Sequence, residues 1–323
     1  MIGRAAILLL AALLAVAPAR AAESHAIRFA VIGDAPYNVL EEILFRNMLE
    51  SLDREELAFI VHVGDIKGGS SPCLDELYRE RRALLDASRH PVVFVPGDND
   101  WTDCHRESNG AYDPRERLDM LRIVFYPAPT SLGMHPMALE RQSTATRFSD
   151  YRENQRWRAG PYRFVTLNIP GSNNNFGRSA DGDAEYHARM SANRAWLDDT
   201  FHLAKTEQAA AVFVIFHANP RFERYPPERR PSGYRDFLAR LEDEVREFGG
   251  PVVAVHGDFH QFLVDHPFRA RHTGQELPNF TRIQSYGTPA LGWIRVTADP
   301  GSRDWLKVEG IPYPPPREGA AGR

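Results

Sequence analysis

Phe59-Ile60-Val61-His62-Val63-Gly64-Asp65 is the stretch on which the reading of this chain turns. A run of aromatic and β-branched residues closed by glycine predicts a short buried strand. The Gly-Asp at its end sets a carboxylate where strands of an open α/β sheet present ligands. The arrangement recurs in Phe29-Ala30-Val31-Ile32-Gly33-Asp34, in Val92-Val93-Phe94-Val95-Pro96-Gly97-Asp98 and in Val252-Val253-Ala254-Val255-His256-Gly257-Asp258. A fifth apolar run, from Ala211 to Phe216, ends in His217, and His260 follows Asp258 by two residues. One Gly-Asp after a strand is explained by a turn. Four of them, with a strand-end histidine, predict a site.

Between these strands the pattern changes from period 2 to period 3.6. Asn38 is a candidate cap for a helix with Leu40, Ile43, Leu44, Met48 and Leu52 on its apolar side. Ser71-Pro72 reads as cap and first residue of a second helix that stops before Pro91. Residues 114–125 form a third helix, and 127–142 are expected to be loop. A hairpin turns at Ala159-Gly160-Pro161, followed by a loop, Pro170-Gly171-Ser172-Asn173-Asn174-Asn175. Helices follow at about 184–205 and 234–248, the latter stopped by Gly249-Gly250. After His260 come short strands at 261–264, 282–286, 293–297 and 305–308. This order predicts one α/β domain with mixed sheets, spanning residues 22–311, with a Pro-rich disordered tail from Pro312.

The chain has 323 residues, 43% hydrophobic and 25% charged, a globular composition. Residues 1–21 have the form of a secretory signal peptide: Arg4, an apolar run from Ala5 to Ala17, and Ala19-Arg20-Ala21 as cleavage site. The run is short for a membrane span, so an exported chain, periplasmic or secreted, with no membrane span in its mature part is expected. The formal net charge is −4, and no basic run is present. That argues against nucleic acid as the main partner. Cys73 and Cys104 are the two cysteines. In an oxidising compartment they are expected to pair, since each lies a few residues beyond a Gly-Asp strand end.

Asp34, Asp65, Asp98, His217, Asp258 and His260 are the candidate metal ligands. Four carboxylates gathered at neighbouring strand ends repel one another unless a cation lies between them. Oxygen donors mixed with imidazole suit Mn, Fe, Zn or Mg. Two such ions, ~3.5–4 Å apart, grip both the attacking and the leaving oxygen of a phosphate ester.

The order Gly-Asp, Gly-Asp, Gly-Asp-Asn-Asp, strand-end His, Gly-Asp-x-His, running from about Ile27 to Thr297, resembles the calcineurin-like metallophosphoesterase superfamily. That family's pattern is D-x-H, G-D, G-N-H-D/E, H, G-H-x-H. The resemblance implies two packed mixed β-sheets flanked by helices, a dinuclear metal site at the strand ends, and hydrolysis of phosphate mono- or diesters by a metal-bridging hydroxide. It implies that Asp65 bridges the two metals, with Asp34 on the first and His217 on the second. Asp98 stands where the family has an Asn, Asp258 where it has the first His of G-H-x-H, and His260 matches the second. Pro36 replaces the His of D-x-H, and Tyr37 follows it. Purple acid phosphatases use a tyrosine ligand, but three residues after the second aspartate, where this chain has Gly68.

Asn99 replaces the family's catalytic His, and an amide donates a hydrogen bond but does not titrate. His105, in the same loop, is the candidate general acid. Lys67, Arg106 and Asn174, with Asn173, Asn175 and Arg221, are candidate phosphate-binding residues on strand-end loops. His62 and His256, inside strands, are expected in the core. The losses at Pro36 and Asn99 leave an alternative: a degenerate relative that binds metal or a phosphorylated ligand without turnover.

Overall fold

A computed structural model describes residues 26–225 and 232–314 of the chain. All five apolar runs form strands. The first three build one sheet, in which β1 (Ile27–Ile32), β2 (Ile60–His62) and β3 (Val92–Phe94) are parallel neighbours. Two late strands, β11 (Gly292–Ala298) and β12 (Leu306–Pro312), extend it antiparallel on the free edge of β1. The other two runs are β7 (Ala211–Ile215) and β8 (Val252–His256), at the centre of a seven-stranded sheet ordered β4-β5-β6-β7-β8-β10-β9. There β4 is Glu140–Arg141, β5 Gln155–Ala159, β6 Tyr162–Thr166, β9 Leu263–Asp265 and β10 Phe280–Gln284.

The runs read as continuous apolar stretches because both of their faces are buried. Between the sheets lies an aromatic layer of Phe29, Phe59, Trp157, Phe164 and Phe213. Phe164 stacks between Trp157 and Phe213, with ring centroids 5.1 and 4.6 Å away. Fully burying each such ring stabilises the fold by roughly 1.5–3 kcal/mol. The outer face of the five-stranded sheet is covered by helices Val39–Leu52, Asp75–Asp86 and Pro114–Phe125, through Phe45, Leu49, Leu84, Leu85, Leu118 and Leu121. That of the seven-stranded sheet is covered by Ala180–Thr206 and Arg235–Phe248, through Trp196, Leu197, Phe237 and Leu241. The result is one domain, two mixed sheets flanked by helices, as the sequence predicts.

Local chemistry sets most of the helix ends. Asn38 caps the first helix through Glu41 N, and Asp113 caps the third through Arg115 N with Pro114 in the first turn. The second helix begins at Asp75, not at Pro72: Ser71 N bonds Gly68 O and Cys73 N bonds Asn109 O, so that segment is spent on loop pairing. The fourth starts at Ala180 rather than 184, because Ser179 caps it by accepting from Gly182 N. Within 127–142, expected as loop, Glu140 and Arg141 pair with β5. Pro312, the expected start of the tail, instead ends β12, and Tyr313 N bonds Leu291 O. The signal-peptide segment 1–21 and residues 315–323 lie outside the described residues. Among the described residues no helix is long and apolar enough to cross a membrane.

Candidate metal centre

The six candidate ligands leave the C-terminal ends of strands from both sheets and meet where those ends converge. Asp34, Asp65 and Asp98 come from β1, β2 and β3, His217 from β7, and Asp258 and His260 from β8. Asp34, Asp65, Asp258 and His260 all have left-handed backbone, with φ of 52°, 58°, 75° and 57°. Each costs about 1–2 kcal/mol for an L-residue. Such strain persists where the surrounding structure imposes it, and it clusters at functional sites. The glycines before the acids permit close approach: a methyl group on Gly97 would overlap Asp65 Oδ1, and one on Gly257 would overlap Asp34 Oδ2.

Donor atoms of Asp34, Asp65 and His217 lie within 4.8 Å of one another, as do those of Asp98, His217 and Asp258. His217 is common to both groups, while Asp65 belongs to the first. His217 Nε2 is 3.0 Å from Asp98 Oδ1 and 3.5 Å from Asp65 Oδ1. His260 stands beside the first group, its Nε2 3.7 Å from Asp34 Oδ1. Both imidazoles are oriented from behind. His217 Nδ1 donates to Val63 O at 2.7 Å, and His260 Nδ1 donates to Thr288 O at 2.6 Å. Each Nε2 is thereby left facing carboxylate oxygens. A neutral imidazole so held aims a lone pair at anions, which is unfavourable unless a cation or a proton stands between them. This is also how metal-ligating histidines are oriented.

The electrostatics point the same way. Burial raises Asp34 to about 6, against the pull of His217 and His260. Asp65 is pushed well above the usual carboxylate range by burial, with Asp98, Asp100 and Asp34 adding to it against His217. Burial and Asp98 raise Asp258 against His217. Asp98 goes the other way: burial opposes its charge, but the hydrogen bond and charge of His217 bring it down to about 2. Burial also disfavours a charged His217, yet Asp65, Asp98 and Asp34 hold its proton to well above the usual range. The cluster therefore asks for positive charge. Its buried oxygen-and-imidazole donor set fits a divalent or trivalent metal of the Mn, Fe, Zn or Mg kind.

Tyr37, Asn99 and Asp100 brace this centre. Tyr37 Oη donates to Asp65 Oδ2 at 3.1 Å and lies 3.2 Å from His260 Nε2. Burial, with Asp65 and Asp34 beside it, pushes the phenol far above its ordinary pKa, so it is a neutral donor here. Asn99 donates to both oxygens of Asp65, from its backbone N at 3.0 Å and from Nδ2 at 2.7 Å. Its amide is committed to a carboxylate rather than open to substrate. Asp100, fully buried, accepts from Asp65 N, Ile66 N and Gly97 N, locking the loops after β2 and β3 together. The second acid of Gly-Asp-Asn-Asp was the sequence signal for that role.

Two candidate substrate residues are corrected. The Lys67 ammonium is buried and bonds Gly68 O and Ser71 O, so it closes its own loop instead of facing a ligand. Asn174 is turned inward, donating to Gly233 O and accepting from Arg189 Nη1. His105 and Arg106 lie in a different place from the ligand cluster, in an adjoining pocket with Thr102, Asp103, Ser172, Asn175 and Arg178. His105 Nδ1 donates to Thr102 O at 2.7 Å, and among the described residues it bonds none of the six ligands. Ser172, which sequence reasoning did not single out from its loop, joins the two places: its Oγ is 2.9 Å from Asp98 Oδ2 and 2.8 Å from Asp103 Oδ1. Arg221 lies over the ring of Phe259 at 4.9 Å, outside the pocket. His62 and His256 are fully buried in the core, and burial depresses both to about 3. The cysteines pair as expected: the Cys73–Cys104 disulfide ties the loop after β2 to the loop after β3.

No family model matches the chain, and no curated protein matches it. Solved structures do. PhoD superposes with a TM-score of 0.52 at 14% identity, over 85% of this chain and 64% of that chain. Phosphopantetheinyl hydrolase PptH from Mycobacterium tuberculosis matches with a TM-score of 0.38 at 15% identity, over 91% and 98%. A Vps29 variant from Entamoeba histolytica matches with 0.28 at 12% identity, over 89% and 99%. The chain thus spans less than two thirds of the PhoD chain it resembles. Its two mixed sheets, with acids and imidazoles at their converging strand ends, have the calcineurin-like metallophosphoesterase fold.

Proposed function

We propose that this chain is an exported metal-dependent hydrolase of phosphate mono- or diesters. The observation that carries this is the convergence of four strand-end carboxylates with two imidazoles whose Nδ1 atoms are tied to backbone carbonyls. Asp34, Asp65, Asp98, His217, Asp258 and His260 would hold two ions. When bound, such ions polarise a phosphoryl oxygen and supply a nucleophile at neutral pH.

The chain's own residues do the rest. Asn99 and Tyr37 fix the orientation of Asp65. Water adds to phosphorus and gives up a proton to solvent, the bond from phosphorus to the leaving oxygen breaks, and the alkoxide takes a proton from His105, which solvent then reprotonates. With His105 Nδ1 committed to Thr102 O, Nε2 of the imidazolium is the atom that gives this proton, from the pocket behind Ser172. Export is supported by the disulfide and by the signal-peptide form of residues 1–21.

A specific observation favours a second reading. Asn99 and Tyr37 satisfy Asp65 with three hydrogen bonds from the chain itself. A degenerate relative that binds metal or a phosphorylated ligand without turnover would have such a site. Metal analysis of the purified mature chain, with mono- and diester hydrolysis in Mn, Fe, Zn and Mg, separates the two. The hydrolase binds about two ions and turns over at least one ester class. Absence of turnover with every metal overturns it.

A further inference from the structure

The pocket behind Ser172 has about 210 Å³ of space, and its character is opposite to that of the centre it adjoins. Two arginines line it from different loops, Arg106 after β3 and Arg178 after β6, and His105 lines it too. Arg106 is paired with Asp103 at 2.7 Å. Arg178 has a different partner: its Nη2 donates to the neutral Asn175 Oδ1 at 2.7 Å, and among the described residues it makes no ion pair. One positive charge in the pocket is therefore unmatched.

The pocket adjoins the centre through one of its lining residues. Ser172 Oγ reaches Asp98 on one side and Asp103 on the other. Arg106 Nη1 and Asn99 Oδ1 both lie within 3.6 Å of the point where a Cβ on Gly69 would stand. The wall is a built one. Ser172, Asn173, Asn174 and Asn175 are four consecutive left-handed residues, with φ between 48° and 62°. This costly run is held by Gly233 N on Asn173, by Gly233 O and Arg189 on Asn174, and by Glu185 on Asn175.

We propose that this pocket is an anion subsite that selects phosphate esters whose leaving alcohol carries a second phosphate or carboxylate group. The inference rests on the hydrolase reading. The reacting phosphoryl group goes to the acid-rich centre with its ions, and the second anion goes to Arg178 and Arg106, which present planar forks suited to phosphate or carboxylate. The leaving oxygen then lies between the two, beside His105. Neither a simple alkyl phosphate nor an unsubstituted diester has a group for Arg178.

The test compares propyl phosphate with propane-1,3-diyl bisphosphate on the Mn-loaded chain, freed of excess metal. Each compound is measured as substrate and, by calorimetry, as ligand. Wild type favours the bisphosphate by about tenfold, the size of one charge-assisted contact. Arg178→Ala brings the ratio toward one, Arg178→Glu inverts it, and Arg178→Lys restores part of it. Arg178 is exposed, so these variants fold. If wild type shows no preference, or Arg178→Ala and Arg178→Glu keep the wild-type ratio, the subsite is overturned. If neither compound is hydrolysed, the hydrolase reading fails by itself, and the calorimetric ratio still decides the subsite.

Discussion

The acid cluster at the strand ends and the basic pocket behind Ser172 meet at the Ser172–Asp98 hydrogen bond yet are built by different means. In the cluster, Asp34, Asp65 and His217 are buried, and each is fixed by backbone groups of neighbouring strand-end loops. In the pocket, Arg106 and Arg178 are exposed side chains on irregular loops. Buried groups fixed by a sheet give a geometry that ions of fixed coordination require. Exposed arginines on loops give recognition that changes at low cost to the fold. In the proposed hydrolase the chemistry would thus sit on the scaffold and the selectivity on the loops.

The largest effect is expected from breaking the cluster. Asp65→Asn replaces an anion that accepts three hydrogen bonds by an amide that must turn a donor toward Asn99 or Tyr37. We expect most bound metal and all hydrolysis to be lost, with the arginine pocket intact. Metal analysis beside the esterase assay checks it; full metal content and full activity would remove Asp65 from the centre.

Next is the proton for the leaving group, which belongs to the pocket side. His105→Ala should slow alkyl phosphates by ~10²-fold or more. It should slow p-nitrophenyl esters far less, since nitrophenolate leaves without protonation. Equal losses on both substrates, or no loss on either, would rule out His105 as the acid.

What the sequence disclosed divides along the same line. The convergence of the strand-end acids was legible because the signal is local: an apolar run, a glycine, an acid, occurring four times. The disulfide was legible because two such runs place Cys73 and Cys104 on neighbouring loops. Lys67 was misread because a lysine in a Gly/Ser loop looks solvated, and only the folded loop shows its ammonium closing on Gly68 O and Ser71 O. Asn174 was misread and Ser172 passed over for a related reason. Asn tolerates left-handed backbone singly, but a run of four such residues is held by Arg189 and Gly233, which are distant in sequence. Arg178 had no motif at all. A pocket assembled from loops is set by tertiary contacts, and no periodicity encodes it.

The disulfide ties the two regions together, so removing it sharpens the contrast. Cys73 and Cys104 close a loop of 31 residues between the segments that carry Asp65 and Arg106. In the chain-entropy view this stabilises the fold by roughly 4 kcal/mol. The double variant Cys73→Ala/Cys104→Ala should lower the urea midpoint accordingly. It should reduce the preference for a bisphosphate more than the metal content, because Asp100 still fixes Asp65 from behind. An unchanged midpoint would show that the bridge adds nothing to stability.

The smallest effect tests the rigid side from beneath. His256 ends β8 two residues before Asp258, fully buried, with its ring 5.6 Å from Phe216 at an interplanar angle of 12°. Burial depresses its pKa to about 3, from about 6.5 in an unfolded chain. Below pH 6.5 the unfolded chain therefore takes up a proton that the folded chain refuses. The stability contributed by neutral His256 is complete above that pH and is lost as pH falls toward 3, at about 1.4 kcal/mol per pH unit. Asp34, whose folded pKa is raised to about 6, works in the opposite sense, gaining stability as pH falls. That contribution is common to wild type and to a His256 variant and cancels in their difference. His256→Phe keeps a planar ring against Phe216 and removes the titration, at the cost of the bond to Gly257 O. Urea unfolding between pH 6.5 and 4 should show wild type losing stability faster than the variant by about 1.4 kcal/mol per unit. Parallel pH profiles would mean that His256 titrates alike in both states, and that the floor beneath the cluster is open to protons.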